Sequence, residues 1–528
     1  MKALYWLFFL SFLILKAQAQ QLVYPLPANI SQNGNLTYFS SEAILYHHPD
    51  LADEAEYLSS ELQKRYGFQK ALCLNSSALK RVPVGPNVSL HLILPDTLLP
   101  EGWYSLHAGP EGTEITANTK TGIFYGIQTL LQLVKKEGNK AQLPETFIQG
   151  DFPQFRYRGM HLDVCRHFFP VSFVKKYIDL LAIHKMNYFH WHLTEDQGWR
   201  IEIKKYPLLT QTGAWRSGSM IGKYSDQKYD SVRYGGFYTQ DEIRDIVKYA
   251  SERHITVIPE IEMPGHALAA LAAYPQFSCK GGPFEVARGW GVFDDVYCTR
   301  EETFRFLFNV LDEVIELFPG PYIHIGGDEC PKTRWKSCDS CQSRMREEGL
   351  KDEHELQSWF IQRIERYVNE KGKKIIGWDE ILEGGLAPNA TVMSWRGTEG
   401  GIMAANQNHN VVMTPGTHCY FDHYQGNPEK EPLAIGGFTN LEKVFSFNPL
   451  PAGLPADKAE YILGAQANVW TEYILTESHI EYMVLPRMTA LSQVLWSGDK
   501  KGSFENFEKG IYLFMEALKK QGYNYRKP

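Results

Sequence analysis

Several features that would assign a chain to a special class are missing from this sequence. Acidic and basic residues nearly balance, with a formal net charge of -7, and no long run of like charges occurs. This excludes the electrostatic footprint of a nucleic-acid-binding protein. No later segment holds about eighteen unbroken apolar residues, so no stable membrane insertion is expected. Tandem repeats and low-complexity tracts are absent, and 528 residues suit two or three ordinary domains.

Cysteine is scarce, with eight residues in the chain, and its pattern limits what it can bind. The pair Cys338-x-x-Cys341 is either a redox pair or half of a zinc site, but a second C-x-x-C is missing, so zinc is only weakly indicated. A local loop staple or free thiols is the favoured interpretation. If a disulfide forms, we expect it between Cys279 and Cys298, since they flank a glycine-rich loop. We expect neither a metal nor a cofactor.

The N-terminal segment has the pattern of a secretory signal peptide. Met1-Lys2 supplies a basic start, residues 3–15 form an apolar stretch too short to span a bilayer comfortably, and Ala17-Gln18-Ala19 matches a cleavage site. We expect residues 1–19 to be removed and the mature chain to be exported to the periplasm or the extracellular space. No cysteine follows the apolar stretch, so a lipid anchor is not expected.

The remaining chain divides into two predicted domains. Residues 20–150 contain alternating strands such as 89–94 and 114–117 and a closing helix over 122–134, which indicates a small α+β domain. From residue 151 to 528, strands alternate with amphipathic helices, some of which begin at the capping boxes Thr239-x-x-Glu242 and Thr299-x-x-Glu302. Eight strands are predicted, which favours an α/β fold of the (β/α)8 TIM barrel type. They span 157–162, 188–193, 256–260, 322–326, 374–378, 392–395, 411–413 and 461–467.

Polar and aromatic side chains follow every predicted barrel strand at its C-terminal end, where barrel enzymes place their catalytic residues. Packing alone would scatter such residues over both ends. The set comprises Asp163, Arg166, His190, His192, Glu195, Asp196, Glu260, His266, Asp328, Glu329, Trp378, Asp379, Glu380, Trp395, Arg396, Tyr420, Asp422, Trp470 and Glu472.

The adjacent acids Asp328 and Glu329 are the leading catalytic candidates. Neighbouring side chains of a strand point to opposite faces, so both acids can share one site only if the strand has ended. Gly326-Gly327 supplies the backbone freedom for that turn. Two close carboxyl groups push each other's pKa values apart, and one can then stay protonated near neutral pH. That property suits general acid catalysis on a glycosidic oxygen.

Five sequence runs resemble glycoside hydrolase family 20, and the resemblance covers about residues 20–500. They are Arg158-Gly-Met-His-Leu-Asp163 with Arg166-His167, His190-Trp-His-Leu-Thr194, Pro259-Glu-Ile-Glu-Met-Pro-Gly-His266, His324-Ile-Gly-Gly-Asp-Glu329 and Gly377-Trp-Asp-Glu380. The resemblance implies an exo-acting β-N-acetylhexosaminidase that removes terminal GlcNAc or GalNAc. It also implies a retaining mechanism in which the 2-acetamido group of the substrate is the nucleophile.

The resemblance assigns roles to individual residues. Glu329 would be the general acid and then the base, Asp328 would orient the acetamido N–H, and Tyr420 would bond its oxygen. Substrate contacts would come from Arg166 at the C3 and C4 hydroxyls, Asp422 and Glu472 at the C4 and C6 hydroxyls, and Trp378, Trp395 and Trp470 around the ring and the acetamido methyl. His266 would support the acids. Glu195 stands where the family usually has Asp, so its geometry is open.

Two other functions remain open at this point. One is a glycan-binding protein on an inactive glycosidase fold. The other is a retaining glycosidase with an enzyme nucleophile, for which Glu260 or Glu380 would serve. A metal role for His190 and His192 is not expected, because the two residues alternate along a strand and are expected to face opposite sides. The expected partner is a glycan, and the sequence leaves its linkage and the oligomeric state open.

Overall fold

The computed structural model describes residues 23–40, 43–76, 83–93, 98–138 and 140–527, and the predicted signal peptide lies outside them. The chain forms two compact units. The first runs to Pro153 and includes Asp499–Ala517, and the second comprises Gln154–Gly498 and the residues from Leu518 onward. Among the helices of these described ranges, none is long and apolar enough to cross a membrane.

The first unit is built on one mixed sheet, in the order β1-β8-β5-β6-β4-β2-β3, with β7 paired to β8. Its strands are β1 Ile30–Ser40, β2 Leu45–His47, β3 Cys73–Asn75, β4 Val88–Leu92, β5 Tyr104–Gly109, β6 Gly112–Ala117, β7 Lys135–Glu137 and β8 Lys140–Asp151. Helices α1 (Ala52–Tyr66) and α2 (Lys120–Leu133) also belong to it. The Thr119 side chain caps α2 by accepting from the Gly122 N–H, as N-cap threonines do. This is the small α+β domain that the sequence predicts.

The second unit is a closed barrel of eight parallel strands, in the order β10-β17-β18-β19-β20-β21-β22-β9. The prediction of a (β/α)8 barrel is confirmed, and each predicted strand is present within two residues of its expected bounds. They are β9 Tyr157–Asp163, β10 Tyr188–His192, β17 Thr256–Glu260, β18 Tyr322–His324, β19 Lys374–Trp378, β20 Thr391–Ser394, β21 Val411–Met413 and β22 Ile462–Ala467.

Helices follow the barrel strands, and short hairpins extend the loop after β10. The hairpin strands are β11 Thr194–Glu195, β12 Gly198–Trp199, β13 Trp215–Arg216, β14 Met220–Ile221, β15 Lys228–Tyr229 and β16 Tyr234–Gly235. The helices are α3 Val171–Ile183, α4 Leu208–Gln211, α5 Gln240–Ser251, α6 Leu268–Ala273, α7 Glu301–Leu317, α8 Thr333–Lys336, α9 Asp339–Glu348, α10 Glu353–Glu370, α11 Glu399–Asn406, α12 Gly416–Cys419, α13 Leu441–Ser446, α14 Glu477–Val484 and α15 Arg487–Ser497. The last helix, α16, spans Phe504–Lys520.

The two predicted capping boxes behave differently. At α5 the Thr239 hydroxyl accepts from the Glu242 N–H, and the Glu242 carboxylate accepts from the Thr239 N–H, which confirms the first box. Helix α7 instead begins after Arg300, so the predicted box of Thr299 and Glu302 is wrong. The helix starts one residue late for that box, and the buried Thr299 hydroxyl lies close to the Cys341 sulphur.

Helix α16 differs from the predicted domain division, which places its residues with the barrel. Most of it falls in the first unit. Phe507 and Phe514 pack on the Tyr24 ring with centroids 5.3 Å away, and the Tyr24 hydroxyl donates to the Phe507 carbonyl. The last helix therefore completes the first unit through contacts that are distant along the chain.

The barrel interior is filled by apolar side chains from most of its strands. Tyr157, Ile258, Ile376, Trp378 and Met393 are buried members of this core, together with Val412 and Leu463. A filled interior leaves the strand ends as the place for a site.

All eight cysteines lie within the described residues, and all are free thiols. The disulfide expected between Cys279 and Cys298 is therefore wrong. Both residues lie in one cluster with Cys338 and Cys341.

Candidate active site

The acidic pair Asp328 and Glu329 lies just beyond the end of β18, on a turn with unusual backbone angles. Gly326 and Gly327 have φ of 67° and 91°, a region that favours glycine. A Cβ at position 326 would overlap the carboxylate of Glu262, so only glycine fits there. Glu329 itself has φ of 43°, a strained value for a side chain with a Cβ and one that clusters at functional sites.

One imidazole connects the two acids to the loop after β10. His266 Nε2 lies 3.7 Å from both the Asp328 and the Glu329 carboxylates. On its other side, His266 Nδ1 lies 2.7 Å from Glu195 and 3.1 Å from Asp196. Burial lowers the pKa of His266, but the anionic Glu195 and Asp328 outweigh it, so the pKa is well above its ordinary value. A buried imidazolium therefore sits between two pairs of acids.

Glu195, which is one methylene longer than the usual Asp of the family, contacts three basic side chains. Its carboxylate lies 3.0 Å from Arg166 Nη2 and 3.1 Å from His192 Nε2, besides its contact with His266. Burial raises the pKa of Glu195, but Arg166 and His266 outweigh this effect and hold it well below the ordinary value. Glu195 is thus an anion that fixes Arg166 and His266 at once.

We name Glu195, His266, Asp328 and Glu329 the Asp328 cluster. Burial raises the pKa of Asp328 to about 7, although His266 opposes the shift. Next to it, His266 lowers the pKa of Glu329, whose side chain is 43% exposed. The two acids therefore have separated pKa values, as the sequence predicts, and Asp328 is the one that holds its proton longer.

Aromatic rings form the walls beside the acids. Trp378 and Trp470 have ring centroids 5.8 Å apart, and Trp395 stacks on Tyr420 at 6.1 Å. The Trp395 indole N–H donates to Glu380 over 2.9 Å, and the Trp378 N–H donates to Glu260 over 2.8 Å. Because these bonds lock the indole planes, the walls are held in place before any ligand arrives.

The cavity lining also includes Arg166 and two acids, Asp422 and Glu472. Asp163 contacts Arg166 at 3.5 Å, and the Arg166 guanidinium lies over the Trp470 ring at 5.1 Å. The ion pair that competes with a binding role for Arg166 is therefore real, yet Arg166 still lines the cavity. Burial raises the pKa of Asp422 well above its ordinary value, and the neighbouring Glu472 adds to the shift.

These side chains enclose a cavity of about 310 Å³. Among the described residues, Asp328 Oδ1, Asp422 Oδ1 and His266 Nε2 are buried atoms with no hydrogen-bond partner. Buried polar atoms are rarely left unpaired, so a ligand with several donors is expected here. The cavity is lined by ten predicted residues, Arg166, His266, Asp328, Glu329, Trp378, Trp395, Tyr420, Asp422, Trp470 and Glu472, and by His423, Ile435, Gly436 and Gly437.

A second buried group surrounds Glu260 and lies outside the cavity lining. We name Glu260 and its four histidines (His161, His190, His192 and His324) the Glu260 cluster. Its carboxylate contacts His192 Nδ1 and lies 3.0 Å from His190 and 2.9 Å from His324. The expectation that His190 and His192 face opposite sides is wrong, because residues two apart on a strand share a face.

Charge within the Glu260 cluster is balanced internally. Burial lowers the pKa of His192, but Glu260 outweighs it and raises that pKa to about 10. Burial raises the pKa of Glu260, but the neighbouring histidines outweigh this effect and hold the pKa well below its ordinary value. Metal-ligating residue types occur here and in the four-cysteine cluster, but the Glu260 carboxylate is already engaged by its own neighbours.

The sequence prediction missed two features of the site, the buried acid Glu262 and a loop that lines the cavity. Glu262 is buried beside the pair, both its carboxyl oxygens lack partners within the described part of the chain, and burial together with Asp328 raises its pKa well above the ordinary value. It sits inside a quoted sequence run, and only its burial marks it out. His423 and Gly437 line the cavity from an irregular loop, where no strand end points to them.

A closed parallel barrel with paired acids and aromatic walls at the carboxyl ends of its strands defines the class of (β/α)8 glycoside hydrolases. The chain belongs to glycosyl hydrolase family 20. The model of "Glycosyl hydrolase family 20, catalytic domain" matches residues 155–499, and "Glycosyl hydrolase family 20, domain 2" matches residues 20–150.

Individual relatives agree with this assignment. A beta-hexosaminidase of Porphyromonas gingivalis is 54% identical over 82% of this chain, which spans 56% of the length of that relative. A Vibrio harveyi family 20 exo beta-N-acetylglucosaminidase, solved in complex with N-acetylglucosamine, is 34% identical with a TM-score of 0.85, and the match covers 97% of this chain and 80% of that one. A beta-N-acetylhexosaminidase of Bacteroides fragilis is 32% identical with a TM-score of 0.82, over 96% and 97% of the two chains.

Proposed function

We propose that this protein is an exo-acting β-N-acetylhexosaminidase, which removes terminal β-linked GlcNAc or GalNAc from glycans. The observation that carries the proposal is the cavity itself. Its volume of about 310 Å³ lies at the lower end of the roughly 300–1,000 Å³ of small-molecule sites, which suits one terminal sugar. Its aromatic walls suit pyranose C–H faces, and its unpaired buried acceptors suit hydroxyl and amide donors.

In the proposed mechanism, Glu329 protonates the glycosidic oxygen while the acetamido oxygen of the substrate attacks C1. The bond between C1 and the leaving sugar breaks. The acetamido oxygen is now bonded to C1, which gives an oxazolinium ion fused to the sugar ring. Glu329 then accepts a proton from water, which attacks C1 and reopens the ring with net retention. The nucleophile is already tethered to the substrate, so its alignment costs little entropy.

Asp328 orients the nucleophile in this proposal. Its carboxylate accepts the acetamido N–H and stabilises the positive charge that develops on the oxazolinium ion. The unpartnered Asp328 Oδ1 is the acceptor that supports this role. Tyr420, stacked on Trp395, would donate to the acetamido oxygen from the other side.

The pKa order of the free site has to reverse when substrate binds. In the free site Asp328 has the higher pKa, about 7, and that of Glu329 is lowered. A sugar over the half-exposed Glu329 removes water and raises its pKa, and an amide donor on Asp328 lowers the pKa of that residue. Binding thus leaves the proton on Glu329, where the chemistry needs it.

An enzyme nucleophile is disfavoured by the positions of the two candidate acids. Glu260 is fully buried and accepts from the Trp378 indole among its histidines. Glu380 accepts from the Trp395 indole. Neither contributes to the described cavity lining, so neither is free to attack C1.

Substrate choice tests the proposal. The enzyme is expected to cleave aryl N-acetyl-β-glucosaminides and not the matching aryl β-glucosides, and N-acetyl-thiazoline is expected to inhibit it. Equal cleavage of both glycosides, or indifference to that inhibitor, would count against acetamido participation. Retained sugar binding without any turnover in the unmodified protein would support the glycan-binding alternative instead.

We also propose export through the N-terminal segment, with the mature chain in the periplasm or outside the cell. The support is the basic start, apolar stretch and Ala17-Gln18-Ala19 pattern. N-terminal sequencing of the protein from its own host is expected to begin at Gln20. A start at Met1 would overturn this part of the proposal alone.

A further inference from the structure

Four cysteine side chains converge away from the cavity. Cys298 Sγ lies 3.7 Å from both Cys338 Sγ and Cys341 Sγ, and Cys279 Sγ lies 3.7 Å from Cys341 Sγ. All four sulphur atoms lie within 4.8 Å of one another. Four thiols from three separate stretches of chain, at 279, 298 and 338–341, thus form one compact group.

The distances between the sulphur atoms distinguish a metal site from a disulfide. In a disulfide the sulphurs are about 2.05 Å apart. Four thiolates that bind one zinc ion tetrahedrally at about 2.3 Å are separated by about 3.8 Å along each edge. Three sulphur–sulphur pairs of the group are 3.7 Å apart and all pairs lie within 4.8 Å, which fits the tetrahedral edge and not a disulfide.

The start of α9 supplies two of the four cysteines. Cys338 is the N-cap of α9 and Cys341 lies in its first turn, where the helix dipole stabilises a negatively charged group. Zinc binds cysteine as the thiolate, so this position suits a metal ligand.

The cluster is largely buried, with Cys279 and Cys338 partly exposed. Cys298 and Cys341 are fully buried, and the group packs against Trp335, Met345 and Leu356. The Trp335 indole N–H donates to the Tyr297 carbonyl over 2.9 Å, which ties the loop before Cys298 to α8. Four protein ligands in an apolar shell leave no open position for water, which is the arrangement of structural zinc sites.

We propose that Cys279, Cys298, Cys338 and Cys341 bind one structural Zn²⁺ ion. The ion would join the loop at 279–298 to the segment that carries α8 and α9, directly after Asp328-Glu329. Each zinc–sulphur bond forms as a thiol loses its proton to solvent, so the step needs no oxidant. The inference does not depend on the proposed function, because it rests on ligand geometry alone.

Metal analysis of the purified full-length protein tests the proposal. We expect about one zinc per chain by inductively coupled plasma mass spectrometry, retained through gel filtration. Cys338→Ser and Cys341→Ser should each lose most of it, and Cys73→Ser, at a half-buried thiol of the first unit, should keep it. A zinc-free native protein, or equal zinc in all variants, would overturn the proposal.

A second measurement covers variants that fail to fold. A mercurial thiol reagent added to the native wild-type protein should release zinc in step with the modification of four thiols, followed with a chromogenic chelator. Growth with Co²⁺ should give the visible absorption of a tetrahedral cobalt–thiolate centre. Disulfide-linked peptides from this region in a non-reducing digest, with no metal released, would contradict the proposal.

Discussion

The Glu260 cluster and the Asp328 cluster use the same residue types at neighbouring strand ends, with different results. Glu260 is engaged by His190, His192, His324 and the Trp378 indole, so its charge is neutralised within the protein. Three histidine nitrogens around Glu260 also lack partners among the described residues, but both Glu260 oxygens are engaged. In the other cluster, Asp328 Oδ1 and His266 Nε2 are buried without partners and belong to residues that line the cavity. A closed network supports structure, and a network left open toward a cavity can bind and react.

The largest effect is expected from Glu329→Gln in the open cluster. Removing the general acid should lower kcat by about 10²–10⁴-fold on a substrate with a poor leaving group, because no other group can protonate the glycosidic oxygen. Steady-state kinetics measure the loss of turnover, and calorimetry measures whether the variant still binds the sugar. Glu508→Gln, at an exposed residue of α16, is the control. Full turnover in Glu329→Gln would remove Glu329 from its role.

The next largest effect is expected from Glu260→Gln in the closed cluster. This change should lower the free energy of unfolding as well as the activity. Removing one partner of a buried ion pair costs about 3–5 kcal/mol, because the His192 imidazolium would lose one of its two anionic partners, Glu260 and Glu195. Urea unfolding checks this. The same assay on Glu329→Gln should change by less than about 1 kcal/mol, since that side chain is half-exposed. Equal losses would erase the distinction between the clusters.

Asp328→Asn should lower kcat/KM by about 10²-fold, because the neutral amide accepts the acetamido N–H more weakly than a carboxylate and brings no charge to stabilise the cation. The pH profile gives a sharper test. The productive complex carries one proton on the pair, and the free site holds that proton on Asp328, whose pKa burial raises to about 7, so kcat/KM of the wild type should fall as pH increases through about 7. In Asp328→Asn this fall should move to lower pH, because Glu329 must then hold the proton itself and its pKa is lowered. An unchanged profile would assign it to another group.

The smallest effect is expected from Glu195→Asp, which restores the usual family residue. The shorter carboxylate should lose contact with either Arg166 or His266. A hydrogen bond to a charged group is worth about 1.5–3 kcal/mol, but the charge and the other contact are kept, so activity should fall by about 2- to 10-fold. Glu195→Gln keeps the length and removes the charge, so it should cost more. The reverse order would mean that length matters more than charge.

The sequence predicted the barrel well because short apolar runs followed by amphipathic helices are a local signal of buried parallel strands. It also brought ten cavity residues together, since strand ends of a barrel meet at one face. It failed where the outcome depends on distant partners. The Thr299 hydroxyl lies at Cys341 and caps no helix, and the cysteine group assembles from separate loops.

Burial and the exact facing of side chains were the other sources of error. Glu262 is unremarkable in the sequence, and only the folded chain shows its carboxyl shut away beside Asp328. His190 and His192 were assigned to opposite faces, although a two-residue spacing puts them on the same one. The Glu260 cluster follows from that shared face.

The turn at Gly326 has a consequence for how this site tolerates change. The Glu262 carboxylate fills the volume that a side chain at 326 would need, so the two positions form one steric unit. Gly326→Ala alone should disrupt the turn that carries Asp328 and Glu329. Paired with Glu262→Ala the clash disappears, and only the left-handed backbone cost of about 1–2 kcal/mol remains. A carboxyl group just beyond the end of β17 thus fills the place of a side chain at a glycine just beyond the end of β18.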